Sequence, residues 1–437
     1  VTLLTLGIPA SLYYFVPRVP AASQQYLVQS ATLLAAAGTL GGAALLLAGP
    51  LIERLFHAPL IAYVPWLAAL TALAVPVSLL PVGAMVDRRS RLAAVFLAGF
   101  DVARALALIG VAWWTRSLTA ILAAATVALA AQAAVLAGYL VWRGRGDGWR
   151  LDGRRLAEQL RYALPFAAAA SVGLARDRLH GYFVAGTVPA AEYAAYAVGL
   201  LHVPLLDYLT QTVGEVVVLA NASSFNAGRT DEMRRVWWRA AYALALVLIP
   251  VFFLAQAYAA DLIGVLFGAG YAGAVPVLRI YTATVPLGIL LASPLLRATG
   301  DLRVMLRADL LSLAVAVAAL ALLVGPLGPV GAVTSLVLGT ATFAAWASRR
   351  NAQRLGLGWR DFLPWGGLAR IAVLAAAAAL GPWLMLHDAT PALRLLLGGG
   401  TAALLYGVVA WRSGLVPAAD RQLVRALVAR LRGDPGA

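Results

Sequence analysis

The chain has 437 residues, of which 62% are apolar and 12% are charged. Soluble domains average about 45–50% apolar and about 25% charged residues. The composition therefore excludes a soluble enzyme and a disordered chain and indicates a polytopic membrane protein. The net charge is +15, and all 34 basic residues are arginines. No cysteine is present, which excludes disulfides, thiolate metal sites and a cysteine nucleophile.

Thirteen apolar segments are predicted to span a membrane as helices, since a span needs about 20 mostly apolar residues. They lie at 1–17, 28–52, 63–84, 92–115, 118–142, 162–184, 189–218, 237–258, 274–296, 308–325, 328–348, 366–386 and 391–411. The first is short, begins with Val1 and carries no signal-peptide pattern. We therefore expect a further helix before Val1, which would give fourteen spans.

The arginines indicate which side of the membrane each connector occupies. If the spans alternate in direction, 27 arginines fall on one side, 3 fall on the other, and 4 lie within or at the edge of spans. Because basic residues are enriched on the cytoplasmic side, we predict that the arginine-rich side and the C-terminus are cytoplasmic. The charge is thus explained by topology, and no nucleic-acid partner is expected.

The basic connector 143–161 is the longest polar stretch before the tail and divides the chain into two lobes. We predict an N-terminal helical lobe at 1–142, a C-terminal helical lobe at 162–349 and two additional transmembrane helices at 350–413. The tail at 414–437 carries leucines at helical spacing among arginines. This pattern predicts a basic amphipathic helix on the inner leaflet, or else an ordinary solvated helix.

Charged residues inside the predicted spans are few, and each costs at least a few kcal/mol in hydrocarbon. Asp101 and Arg104 are three residues apart on one helix face and can neutralise each other. Two interpretations of this pair are equally favoured, a structural ion pair and a pair that lines a cavity.

The densest polar group lies in the span at 162–184 and comprises Arg176, Asp177, Arg178 and His180. These side chains cannot all face lipid, so we predict that this helix borders a polar cavity. The alternative is a position near the outer interface, where arginines extend towards the headgroups. The next span adds His202 and Asp207, and His202 has the alternative of an ordinary buried, hydrogen-bonded histidine.

The sequence contains no motif that is typical of a catalytic site. The four histidines are scattered, no paired-carboxylate or metal-ligand spacing occurs, and no GxxxxGK[ST] motif is present. We therefore predict no catalytic site, metal or cofactor, and a protein that is not an enzyme.

Several motifs together resemble a known family. They are Gly7–Arg18, Arg161–Pro165, the Arg176–Arg178 cluster, Glu192–Tyr196, the stretch LFGAGYAGAVPVLR at 266–279 and RATGDLR at 297–303. In this order they resemble polysaccharide (O-antigen-type) flippases of the multidrug/oligosaccharidyl-lipid/polysaccharide exporter (MOP) superfamily. The resemblance covers nearly the whole chain, and it implies two six-helix lobes followed by two extra helices.

The resemblance also implies a location, the bacterial plasma (inner) membrane, and a function. Such a protein moves an undecaprenyl-diphosphate-linked oligosaccharide to the outer leaflet for cell-surface polysaccharide biosynthesis, and its partners include membrane lipids, polysaccharide polymerase and glycosyltransferases. Arginines of the cavity would hold the diphosphate. The candidates are Arg18, Arg104, Arg176 and Arg178. Intramembrane Asp and His side chains could couple transport to ions, and the candidates are Asp101, Asp177, His180, His202 and Asp207.

Three other functions stay open at this point. A cation-coupled drug antiporter of the same superfamily would share the fold, although the arginine-rich intramembrane charge favours an anionic substrate. A membrane glycosyltransferase or polymerase would need a large outer loop or an outer catalytic acid, and the predicted outer connectors are short. A non-transporting scaffold would lack a polar cavity.

Overall fold

The structure is a computed structural model of the chain, and it describes residues 2–56, 60–87, 89–144, 151–201, 203–299, 301–418 and 420–422. Within these ranges all regular secondary structure is helical, which confirms the all-α prediction. The chain divides into two compact units, Val1–Ser171 and Val172–Ala437. His202 and the predicted tail helix from residue 423 onward lie outside the described residues.

The first unit is built from seven α-helices and the beginning of an eighth. Their bounds are Ile8–Arg18 (α1), Ser23–Phe56 (α2), Val64–Val77 (α3), Leu79–Val86 (α4), Ser90–Ala94 (α5), Phe100–Thr115 (α6), Leu118–Arg143 (α7) and Gly153–Thr187 (α8). A π-helical turn, Val95–Gly99, joins α5 to α6. Arg18 is the last residue of α1, and its side chain lies outside what the structure describes.

The second unit contains the rest of α8 and nine further α-helices. Their bounds are Ala190–Gly199 (α9), Pro204–Asn226 (α10), Thr230–Phe267 (α11), Ala274–Tyr281 (α12), Ala292–Ala298 (α13), Leu302–Arg354 (α14), Trp365–Met385 (α15), Pro391–Leu393 (α16) and Gly399–Arg412 (α17). A 3₁₀ segment, Thr282–Leu290, connects α12 to α13, and a π-helical turn, Arg394–Gly398, connects α16 to α17.

The helix α14 is broken at Gly328 into two spans, Arg303–Leu327 and Pro329–Arg354. Gly328 has φ 54° and ψ −133°, a conformation that essentially only glycine adopts. The neighbouring Pro326 and Pro329 also disfavour a continuous helix, because proline lacks the backbone N–H.

Nine helices among the described residues are long and apolar enough to cross a membrane, or ten if the bent pair formed by α9 and α10 is one span. This shows a multi-pass membrane protein, whereas the predicted count of thirteen is not confirmed. The segments that fall short of the criterion are interrupted or polar: α1 has 11 residues, α5 and α6 are joined by a π-helical turn, and α8 carries the charged cluster.

Small residues bring α2 and α3 together in the first unit. Gly38 and Gly42 lie one turn apart on α2, and a Cβ atom at Gly42 would stand 2.7 Å from the carbonyl oxygen of Ala68. At Gly38 it would stand 2.8 Å from the carbonyl oxygen of Ala72. This is the small-xxx-small packing by which membrane helices gain van der Waals contact without bulky side chains.

Each unit contains an aspartate that accepts two hydrogen bonds from one arginine, and we call this arrangement a clasp. In the first clasp, Arg143 at the end of α7 donates from Nε and Nη2 to the two carboxylate oxygens of Asp87, both at 2.7 Å. The Tyr139 hydroxyl also donates to Asp87, and Arg143 further donates to Gln24 and Ser23 at the start of α2. The clasp therefore joins three helices at the arginine-rich end.

The second clasp repeats this geometry. Arg354 at the end of α14 donates from Nε and Nη2 to the two oxygens of Asp301, again both at 2.7 Å, and Arg350 lies 3.4 Å from the same carboxylate. Asp301 immediately precedes α14. In the first unit the aspartate follows α4 and the arginine ends α7. In the second unit the aspartate follows α13 and the arginine ends α14.

The first clasp predicts a pH-dependent stability. Burial alone would raise the pKa of Asp87, but the hydrogen bonds from Arg143 and Tyr139 outweigh it and lower that pKa below its ordinary value. A lowered carboxylate pKa stabilises the folded state above the ordinary value of about 3.9, and this stabilisation is lost as the pH falls through the lowered pKa. We expect the unfolding midpoints of wild type and Asp87→Asn to differ at pH 7 and to converge below about pH 4. A constant difference down to pH 3 would contradict this.

Candidate substrate cavity

A polar cavity of about 670 Å³ lies inside the second unit, among α8, α9, α10, α12 and α14. Its charged and polar lining residues are Asp177, Arg178, His180, Tyr182, Tyr193, Tyr196, Asp207, Tyr281, Thr284 and Thr340. The prediction that α8 borders a polar cavity agrees with this position. The cavity brings together four residues that the sequence singled out, namely Asp177, Arg178, His180 and Asp207.

The spacing of residues on α8 explains which of its charges reach the cavity. Five of the lining residues, Leu174, Asp177, Arg178, Gly181 and Tyr182, follow the helical spacing of three and four and form one stripe, while His180 also lines the cavity from outside this stripe. Arg176 precedes Arg178 by two residues, which is about 200° around the helix. It therefore points away from this stripe.

Arg176 instead connects α8 to α14. Its Nε donates to Asp177 Oδ1 at 2.7 Å, and its Nη1 lies 3.4 Å from Asp309 Oδ1 and 3.3 Å from the hydroxyl oxygen of Ser312. The guanidinium also stands over the ring of Phe343 at 5.2 Å, a favourable cation–π arrangement. Arg176 is not among the lining residues of the cavity, and its predicted role in binding substrate remains a prediction.

Two smaller cavities adjoin the first one. One of about 210 Å³ shares Asp207, Tyr281 and Thr284 with it. The other, of about 430 Å³, shares Thr284 and Thr340 and continues past Gln211 to Glu215 and Arg297. We call the three together the groove. Because Asp207, Gln211 and Glu215 are spaced by four residues on α10, one polar stripe of that helix follows the groove for about 12 Å.

In the described part of the chain, the charges that line the groove are partly paired: Asp177 is bound by Arg176, and Glu215 is bound by Arg297. Arg178 and Asp207 form no ion pair with any residue in the described ranges, whereas Arg297 binds Glu215 through two hydrogen bonds of 2.8 and 3.2 Å. His180 is buried, and its Nδ1 lies 2.5 Å from the Tyr196 hydroxyl. Arg178 is therefore, among the described residues, a groove cation that no ion pair occupies.

The other predicted site residues lie elsewhere. Asp101 and Arg104 form the expected ion pair on α6 at 2.8 Å, on a helix with no buried residue. The substrate and ion-coupling roles proposed for these two residues, for Arg18 and for His202 remain predictions. The described residues contain no cluster of three or more His, Cys, Asp or Glu side chains suited to a metal ion.

Sequence reasoning missed the tyrosines that surround Arg178. Tyr182 comes from α8, Tyr193 and Tyr196 from α9, and Tyr281 from α12. A tyrosine ring packs against the apolar face of a ligand and its hydroxyl forms hydrogen bonds. The available signal was the pair of tyrosines three residues apart on α9, which lie on one helix face.

Comparison with known proteins identifies the family. Residues 16–276, more than half of the chain, match the family described as polysaccharide biosynthesis protein. No curated protein sequence matches the chain.

Solved structures share the fold at low sequence identity. The lipid II flippase MurJ in an inward closed conformation has 12% identity and a TM-score of 0.69, over 97% of this chain and 90% of that one. An inward-facing multidrug resistance MATE family transporter of the MOP superfamily has 14% identity and a TM-score of 0.65, over 81% and 87%. A MOP superfamily transporter from Pyrococcus furiosus has 13% identity and a TM-score of 0.51, over 81% and 84%.

Two of these structures are of transporters and one is of a flippase. The fold class agrees with the family that the sequence motifs indicated. The chain belongs to the polysaccharide biosynthesis protein family and is a multi-pass membrane protein with the transporter fold of the MOP superfamily.

Proposed function

We propose that the protein is a flippase for a lipid-linked oligosaccharide. It moves an undecaprenyl-diphosphate-linked oligosaccharide from the cytoplasmic to the outer leaflet for the synthesis of a cell-surface polysaccharide such as O-antigen. The observation that carries this proposal is Arg178, a guanidinium without an ionic partner in the described structure, which lines a polar groove in a membrane-spanning bundle. Family membership points to the same class of substrate.

The chemistry of the groove fits a phosphorylated sugar. Arginine forms two parallel charge-assisted hydrogen bonds to phosphate oxygens, and the exposed Tyr182 and Tyr193 of the same cavity as Arg178 offer ring faces and hydroxyls to a saccharide. A sugar is too polar to cross hydrocarbon, because each unpaired polar group costs several kcal/mol there. The groove would lower this cost by replacing water with polar side chains.

Transport would proceed by alternating access, in which the bound headgroup is exposed first to one side of the membrane and then to the other. The arginine-rich ends would face the cytoplasm, as the distribution of basic residues favours. Asp177, His180 and Asp207 line the first cavity and are the proposed ion-coupling residues of this unit. A polysaccharide polymerase and glycosyltransferases are the proposed partners that use and supply the glycolipid.

The test is translocation of a fluorescent lipid-linked oligosaccharide by the purified protein in liposomes. We expect Arg178→Ala to lower the rate at least about ten-fold, since each hydrogen bond to a charged group contributes about 1.5–3 kcal/mol. Arg279→Ala is the matched control, because Arg279 is exposed on α12 and does not line the groove. An Arg178→Ala rate equal to wild type would contradict the assigned site.

A cation-coupled drug antiporter is the second candidate, because the carboxylate of Asp207 lines the first cavity without an ion pair in the described structure. The same liposomes distinguish the two functions. Extrusion of an organic cation that is lost in Asp207→Asn, without any glycolipid translocation by wild type, would favour the antiporter.

A further inference from the structure

The ion pair between Glu215 and Arg297 occupies the arginine-rich end of the groove. Arg297, on α13, donates from Nη1 and Nη2 to the two carboxylate oxygens of Glu215, on α10. Both side chains are well exposed, at 47% for Glu215 and 43% for Arg297, and both line the 430 Å³ cavity. The pair therefore stands inside a space that a ligand can enter.

The ion pair between Glu215 and Arg297 is weak, and an arginine forms the same hydrogen-bond geometry with a phosphate group. An exposed ion pair contributes about 0–1 kcal/mol, so little free energy opposes its separation. The two parallel hydrogen bonds that Arg297 gives to a carboxylate are the ones an arginine gives to two phosphate oxygens. The carboxylate of Glu215 thus occupies the position that a phosphate group would take.

The residues that follow Arg297 make this end of the groove attractive to anions. Arg303 and Arg307, in the first turns of α14, are exposed and form no ion pair within the described ranges. The nearby carboxylate of Asp301 is already bound by Arg354 in the second clasp. Unpaired positive charge raises the local concentration of an anionic ligand.

We propose that Arg297 is a docking site for the phosphate group of an anionic lipid headgroup, and that Glu215 is its internal competitor. An arriving phosphate displaces the carboxylate of Glu215 from Arg297 and takes over both hydrogen bonds. This inference rests on the proposed flippase function and adds a first binding step to it. From Arg297 the polar stripe of α10 leads along the groove to the cavity of Arg178.

Equilibrium binding of farnesyl diphosphate to the purified full-length protein in nanodiscs tests the proposal. We expect Glu215→Gln to bind the probe about three-fold more tightly than wild type, because the competing carboxylate has lost its charge. Arg297→Ala should bind at least about ten-fold more weakly, with Arg297→Lys between it and wild type. The tighter binding by Glu215→Gln should persist when Arg178 is also replaced by alanine, because the two arginines bind separately.

Glu232→Gln is the matched control. Glu232 pairs with Arg229 at 2.8 Å in the same unit with comparable exposure, 42% and 58%, but neither residue lines the groove. This variant should bind as wild type does. Inorganic pyrophosphate is the second probe, and binding as tight as that of farnesyl diphosphate would overturn the assignment to a lipid headgroup.

Thermal unfolding of each variant separates lost binding from lost folding. A folded Glu215→Gln that binds farnesyl diphosphate no more tightly than wild type would overturn the competition between Glu215 and phosphate. That result would leave the proposed function in place if wild type translocates the glycolipid. Absence of translocation by wild type, with tighter binding by Glu215→Gln, would instead overturn the flippase and keep the phosphate site.

Discussion

Arg143→Glu should destabilise the protein by about 3–5 kcal/mol, the cost of breaking a buried ion pair and leaving one charge without its partner. Only 17% of the Arg143 side chain and 14% of the Asp87 side chain are exposed. The new glutamate would face Asp87 and would also lose the hydrogen bonds to Ser23 and Gln24. The measurement is the unfolding midpoint of the purified protein in detergent.

The control for this prediction is a double variant in which the charges of Asp87 and Arg143 are exchanged. Asp87→Arg combined with Arg143→Asp should recover part of the stability, because the pair is restored with its direction reversed. Arg104→Glu disrupts an Asp–Arg pair of 2.8 Å that is more exposed, and its cost should stay below about 1 kcal/mol. If Arg104→Glu and Arg143→Glu had equal effects, the first clasp would have no special role in stability.

Gly42→Leu should also be strongly destabilising, by about 3 kcal/mol, because overpacking forces the backbone to move. Even the Cβ of alanine would stand 2.7 Å from the carbonyl oxygen of Ala68, and that oxygen belongs to the backbone of α3. The helices α2 and α3 would have to separate along the contact that includes Gly38. The unfolding midpoint and the yield of folded protein report the effect.

The control for Gly42 is a glycine of the same unit with free space around it. Nothing lies within 4 Å of a Cβ built at Gly110, on the exposed α6. We therefore expect Gly110→Leu to leave the midpoint unchanged, and Gly42→Ala to fall between the two leucine variants. A Gly42→Leu protein as stable as Gly110→Leu would show that the close approach of α2 and α3 is not required.

The sequence was sufficient for the helical class and for the position of Arg178 beside a polar cavity. Both follow from local properties, namely long apolar segments and a crowding of charges that lipid cannot accommodate. Which face of α8 borders the cavity was not predictable, because the partners of Arg176 on α14, Asp309 and Ser312, lie 133 and 136 residues away in the chain. The pairing of Glu215 with Arg297 likewise joins residues 82 positions apart.

The number of spans was less predictable for a related reason. Length and hydropathy identify uniform apolar helices, whereas α8 combines apolar and charged residues, of which Arg176 pairs with Asp309 on α14. The bend between α9 and α10 and the π-helical turn after α5 also break segments that read as continuous in the sequence.

The two clasps are informative about the evolutionary origin of the protein. Aspartate and arginine are 56 residues apart in the first clasp and 53 in the second, and the same nitrogen and oxygen atoms meet at the same 2.7 Å. Such a recurrence is the pattern left by duplication and fusion of a half-length gene.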